Sequence, residues 1–136
     1  MTDCVFCAIA AGDIPSRRVY EDDTCIGFLD IAPFHRGHSV IIPRRHIADG
    51  TTDAAAWAEV AAGIVAVSRL VRTKLGATGI NIVANAGADA GQSVFHFHVH
   101  VVPRYADHPG MAGLLQRDEG AADDLDGLWE GLVRAG

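Results

Sequence analysis

The sequence predicts an α+β domain with a mainly antiparallel sheet. Three observations carry that expectation. The chain has 136 residues, one domain's worth, so 1–136 is read as a single domain. Short apolar runs with strand character stand on both sides of one long helical stretch. That stretch is the only crossover long enough to hold a helix, which disfavours a doubly wound parallel sheet.

The elements follow in order. Val5 to Ala11 reads as a short helix stopped by Gly12, with Pro15 just beyond. Arg18 to Glu21 and Thr24 to Leu29 read as strands, with Asp22 and Asp23 making a tight turn between them. His38 to Ile42 is a third strand, closed by Pro43. The long helix takes Thr51 or Thr52 as its cap and Asp53 in its first turn. Trp57, Val60, Ala61, Ile64, Val67, Val71 and Leu75 recur on one face at the 3.6-residue period, and Gly76 ends the helix. Gly79 to Ala84 and Val94 to Val102 are two further strands, joined by a small, Gly-rich loop. Leu125, Leu128, Trp129, Leu132 and Val133 form a last amphipathic stretch, expected to pack on the core or on a partner chain.

Composition narrows the function. Apolar residues make up 49% and charged residues 21%, which is globular usage rather than disorder. A net charge of −6 argues against a surface that tracks nucleic acid, but not against a small anion held by backbone amides. No run of ~18 apolar residues occurs and no signal peptide is visible, so a cytoplasmic protein without membrane contact is expected. Cys4, Cys7 and Cys25 are too few for a secreted disulfide scaffold. Cys4-x-x-Cys7 points to metal or redox chemistry instead, and Cys25 reads as a small buried residue.

The decisive run is Phe95-His96-Phe97-His98-Val99-His100-Val101-Val102. Seven histidines in 136 residues would yield such a triplet about 0.02 times by chance, so the pattern carries chemistry. On a strand His96, His98 and His100 share one face, and Phe95, Phe97, Val99 and Val101 share the core-facing one. The outer two histidines start ~13 Å apart, too far for both to bind one ion at ~2 Å. A nucleophilic middle imidazole flanked by two others fits the row better. The loop before it, with Gly87, Gly91, Gln92 and Ser93, offers the close backbone approach and the donors that a phosphate needs.

These residues resemble the histidine triad (HIT) family. Residues 96–102 match its His-φ-His-φ-His-φ-φ pattern, where φ is apolar. Gly91-Gln92-Ser93-Val94 resembles the branch of nucleoside phosphoramidases. The F-C-x-I-x-x-G-x-I-P segment from Phe6, then Phe28-Leu-Asp-Ile31, Gly37-His38 and Ile42-Pro-Arg-Arg-His46 also follow the family's order. The likeness covers residues 4–105, and the tail 106–136 carries no signature.

The resemblance implies an antiparallel sheet of about five strands with helices on one side, one of them long, and short terminal helices. It also implies a symmetric homodimer with a continuous sheet. His98 would attack the α-phosphorus of a purine nucleoside phosphoramidate, and water would release the monophosphate from a nucleotidyl-histidine. His100 would bond the phosphate, and His96 and His38 would support the site. Ser93, Gln92, Gly91 and Asn85 would lie on the phosphate side and Asp30 on the ribose. Phe6, Ile9, Phe28 and Ile31 would line the base pocket. Asp30 also reads as a turn residue, His38 as a buried strand residue, and the apolar four as core. No catalytic cofactor is implied. Relatives that keep the Cys pair resemble a structural zinc site, here Cys4, Cys7, His46 and His96. Cleavage of dinucleoside polyphosphates and non-catalytic nucleotide binding through a partner protein are the competing functions. His35 and His108 read as exposed, and Arg44, Arg45 and Arg104 as a positive rim or plain surface.

Overall fold

Period-two burial on both faces of a sheet organises the molecule, a computed structural model that describes residues 4–110 and 119–134. The order is α1 (Val5–Ala11), β1 (Arg18–Glu21), β2 (Cys25–Leu29), β3 (Ser39–Pro43), α2 (Ala54–Leu75), β4 (Gly79–Val83), β5 (Val99–Arg104) and α3 (Leu125–Val133). A 3₁₀ turn, Ala88–Ala90, lies between β4 and β5. The five strands pair antiparallel in the order β1-β2-β3-β5-β4. The expected α+β, antiparallel architecture with one long helix is observed.

The two helices at the sheet lie on opposite faces, not on one side. Cys25, Ile41, Val99 and Val101 join Ala56, Val60 and Val67 of α2 in one core. Their strand neighbours Ile26, Phe28, Val40 and Ile42 join Ile9 of α1, with Phe6 and Ala10 against them, in a second. Alternating side chains must diverge, so a sheet apolar on both faces has to be covered twice.

Three local expectations change. Asp53, not a threonine, caps α2: its Oδ1 accepts the Ala55 N–H at 2.9 Å, and the helix starts at Ala54. The buried stripe of α2 is Ala56, Val60, Gly63, Val67 and Val71, whereas Trp57 and Ala61 are exposed. Trp57 instead packs on Phe97 and donates Nε1–H to the Gly50 carbonyl at 2.7 Å. By length and composition α2 could cross a membrane, but this stripe packs on the sheet, as in a core helix. Finally, β5 begins at Val99, so residues 94–98 are irregular and Phe95 is 51% exposed rather than buried.

Gly63 explains the shifted stripe. A Cβ there would sit 2.9 Å from both Cys25 Sγ and Ile41 Cγ2, so the bare backbone lets α2 lie close on the sheet. Ala gains about 1 kcal/mol of helix propensity over Gly but overpacks this contact by about 1–3 kcal/mol. Gly63→Ala is therefore expected to lower the melting temperature, whereas Gly131→Ala in α3, where nothing lies within 4 Å, is not. Two thermal melts check this.

α3 forms where expected but has no buried residue, so it does not pack on this chain's core. Residues 111–118 of the tail, and Met1 to Asp3, lie outside the described residues.

Candidate active site and metal cluster

Register sets the site's axis. Val40 of β3 faces Phe28 of β2 on one side and His100 of β5 on the other. Above this row lies a cavity of about 410 Å³, within the usual range of small-molecule sites. Its lining includes Phe6, Ile9, Phe28, Asp30, Ile31, Ser93, His98 and His100. Phe6 and Phe28 meet edge to face at 5.6 Å, and Phe6 also abuts the His98 ring at 5.1 Å. Phe6, Ile9 and Phe28 are thus wall and core at once, while Ile31 is 90% exposed at the mouth.

Hydrogen bonds fix the imidazole tautomers. His98 is buried, and its Nδ1–H donates to the His96 carbonyl at 2.8 Å. That leaves Nε2 with its lone pair, at a residue that lines the cavity. A main-chain oxygen, not the expected neighbouring imidazoles, orients the middle ring. His38 accepts the Phe34 N–H at Nδ1 (3.1 Å), so its Nε2 carries hydrogen and donates to His100 Nδ1 at 3.0 Å. His100 then carries hydrogen on Nε2, a donor available to an anion. Asp30 Oδ2 lies 3.5 Å from His38 Nε2, and its Oδ1 accepts the Ala32 N–H at 2.8 Å.

Burial keeps this relay neutral. It pushes the His38 pKa down against the opposing pull of Asp30, so the His38–Asp30 approach is a dipolar contact rather than an ion pair. Burial, with His98 and His38 as like-charged neighbours, pushes His100 down to about 4. A histidine whose folded value lies below its unfolded 6.5 takes up its proton first in the unfolded chain. Stability is therefore expected to fall as pH drops from about 6.5 towards 4. His100→Asn should show a shallower loss than the wild type at equal metal loading, as measured by melts at pH 7 and pH 5.

The phosphate-side residues divide. Ser93 lines the cavity and is exposed. Gln92 is buried, and its side chain is committed to the scaffold. Its Nε2 donates to the Ala48 and Val94 carbonyls (2.7 and 3.0 Å), and its Oε1 accepts the Gly87 N–H (2.8 Å). Gly91 (φ +99°) and Asn85 are neighbours in the loop but do not line the cavity. His38 stands behind His100, also outside the lining.

A second cluster adjoins the first. Cys4 caps α1, its Sγ accepting the Cys7 N–H at 3.3 Å, so the x-x spacing stacks both sulfurs on the helix start. The Phe97 N–H donates to the Ile47 carbonyl at 2.6 Å, which brings His46 beside His96 with ring centroids 5.1 Å apart. His96 donates Nε2–H to the Pro43 carbonyl at 2.9 Å, leaving the Nδ1 lone pair 3.4 Å from Cys4 Sγ and 3.5 Å from Cys7 Sγ. His46 Nδ1 lies 3.4 Å from Cys7 Sγ. The four ligand atoms lie within 4.8 Å of one another, so this cluster could hold a metal ion. Burial and then the adjacent Cys4 thiol push the Cys7 thiol up, an effect that a bound cation reverses.

The expected positive rim is tied up elsewhere. Arg44 Nε donates to the Asp22 carbonyl, Arg45 pairs with Glu59 and Asp53, and Arg104 bonds Asn81. His35 is half-buried against Tyr105 and His108 rather than exposed. The cation at the cavity is Arg17, which follows Ser16, also in the lining. Sequence reading missed both, although they directly follow the Ile14-Pro15 of the family-like segment.

Comparison with known proteins agrees with this geometry. The HIT domain family matches residues 11–107. The "Protein hit" of Bacillus subtilis is 37% identical, over 97% of this chain and 93% of its own. The adenylylsulfatase HINT3 of Arabidopsis thaliana is 39% identical over 75% of this chain, which spans 52% of that protein. The crystal structure of a zinc-bound histidine triad family protein from Mycobacterium smegmatis superposes with a TM-score of 0.68. It shares 41% identity and covers 96% of this chain and 95% of that one.

Proposed function

The chain belongs to the HIT domain family, and from that premise we propose that it is a nucleotide hydrolase cleaving purine nucleoside phosphoramidates through His98. The observation that carries the proposal is the tautomer of His98. Its Nδ1–H is held by the His96 carbonyl, so Nε2 is free to act as nucleophile. Nε2 attacks the α-phosphorus, the Nε2–P bond forms, and the P–N bond to the amine breaks. Ser93, which lines the cavity and is exposed, passes its hydroxyl proton to the departing nitrogen and regains one from the water that attacks next. Water then attacks phosphorus, the Nε2–P bond breaks, and the monophosphate leaves.

His100 donates Nε2–H to a phosphate oxygen, and its neutrality is maintained by burial and by His38 behind it. Asp30 accepts from the ribose hydroxyls through Oδ2. The base packs on the wall that Phe6 and Ile9 of α1 form together with Phe28 of β2. Gln92, Gly91 and Asn85 shape the loop that presents Ser93 rather than touching phosphate themselves.

The name of the HINT3 relative favours a second leaving group, sulfate on adenylate. The exposure of Ser93 supports tolerance on that side, dinucleoside polyphosphates included.

Zinc fits the second cluster. Tetrahedral zinc, with ~2.3 Å bonds to sulfur and ~2.0 Å to nitrogen, separates S from N by ~3.5 Å. Three of the four S···N separations are 3.4–3.5 Å, and the fourth is within 4.8 Å. A closed Cys₂His₂ set supplies structure, holding α1 against the sheet, and leaves the phosphate chemistry to His98. We also assign one domain, a cytoplasmic location matching the free thiols, and a homodimer, for which β4, an edge strand among the described residues, and its exposed Ile82 offer a surface.

AMP release from adenosine 5′-phosphoramidate by the purified protein tests the reading. Release is expected. Tight AMP binding without release from it, from adenylyl sulfate or from a dinucleoside polyphosphate would identify a binding module instead.

A further inference from the structure

The cavity runs across the strands, and its two ends differ in chemistry. Register carries Arg18 of β1 to Phe28 of β2, then to Val40 of β3 and His100 of β5. Three strand spacings of ~4.8 Å put β1 ~14 Å from the imidazole end. A purine nucleotide with its phosphate at His98 and His100 and its ring over Phe28 therefore turns its far edge towards the entry to β1.

Ser16 and Arg17 stand at that entry and line the cavity. The Arg17 carbonyl accepts the Leu29 N–H at 3.0 Å, which fixes the backbone beside β2. The Arg17 side chain is exposed and makes no ion pair or hydrogen bond among the described residues. The Ser16 hydroxyl is buried without a hydrogen-bond partner among the described residues, a state that is costly unless a ligand satisfies it. The remaining charged or titratable lining groups already have roles: Asp30 at the ribose, His98 and His100 at phosphorus.

We propose that Arg17, helped by Ser16, reads the far edge of the base and makes the site prefer a 6-oxopurine nucleotide to a 6-aminopurine one. This inference rests on the proposed nucleotide site. A guanidinium has five donors and no acceptor. It matches the adjacent O6 and N7 acceptors of guanine or hypoxanthine with two bonds. Adenine offers only N7 there and sets an amino donor against it. Ser16, both donor and acceptor, adds affinity to either ring and does not discriminate.

The test is calorimetric binding of GMP, IMP and AMP to the full chain with its metal bound, for wild type, Arg17→Ala, Arg17→Lys and Ser16→Ala. Wild type is expected to bind GMP and IMP about five- to tenfold tighter than AMP. Equal gain for GMP and IMP assigns the effect to O6 rather than to the guanine amino group. Arg17→Ala should abolish the preference and Arg17→Lys reduce it, because an ammonium still favours two adjacent acceptors but lacks the planar fork. Ser16→Ala should weaken all three nucleotides and keep the preference. Equal binding of all three by wild type overturns the inference while leaving the nucleotide site intact. So does a preference that survives in Arg17→Ala. Failure of every nucleotide to bind overturns the nucleotide site itself, and this inference with it.

Discussion

His98→Ala is expected to lower AMP release from adenosine 5′-phosphoramidate by about a thousandfold or more while AMP still binds, since removing an attacking group eliminates the covalent route. The separation of rate from binding is the informative part. In the proposed reaction His98 contributes one lone pair, whereas Phe6, Ile9, Phe28 and Asp30 of the cavity lining hold the nucleoside. Steady-state kinetics with calorimetry of AMP binding checks both halves. His38→Ala gives a contrasting result. It leaves Nε2 of His98 in place but frees the His100 ring that its Nε2–H bonds at 3.0 Å. A smaller loss, about ten- to a hundredfold, is expected there, because the relay orients the phosphate donor and does not touch phosphorus.

If the Cys₂His₂ cluster holds zinc as proposed, its removal is expected to have the largest structural effect. Chelation, or Cys7→Ser, is expected to lower the melting temperature by about 10 °C or more. That corresponds to several kcal/mol in a domain of this size. Two of the four candidate ligands, Cys4 and Cys7, belong to α1 or its cap, and α1 also supplies Ile9 and Phe6 to one core and to the cavity wall. Freed of the ion, this segment keeps those apolar contacts and the bond from the Arg18 guanidinium to the Ile9 carbonyl at 2.8 Å. Activity should fall together with nucleotide affinity, through the cavity wall and not through the nucleophile. Melts and zinc titration by metal-sensitive dye check the stability half. A chelated protein that melts unchanged would show that the four residues carry no structural ion.

Much of this was legible in the sequence because side-chain period and chemistry coincide. Phe97, Val99 and Val101 had to be buried if His98 and His100 were to share a face, and they are. Val5 to Ala11 and its Gly12 stop were readable because a glycine at φ +84° ends a helix in a way few other residues can. The departures have physical causes. Gly63 carries no apolar side chain, so a hydrophobic count skips it, yet the close approach of α2 to the sheet runs through that residue. Gln92 has the donors a phosphate needs, but two backbone carbonyls claim them first, and the Gly87 N–H takes its oxygen. Phe95 leaves the core because the chain becomes a regular strand only at Val99. Arg17 was invisible because an exposed arginine acquires meaning only from the cavity beside it.

A nucleotidyl group carried on His98 makes a direct commitment at phosphorus. Two in-line displacements invert configuration twice, so hydrolysis of an adenosine phosphoramidate made chiral at phosphorus with oxygen isotopes must return AMP with retained configuration. Retention is the result this account predicts. Inversion, the mark of a single attack by water, would contradict it and leave His98 at most a general base.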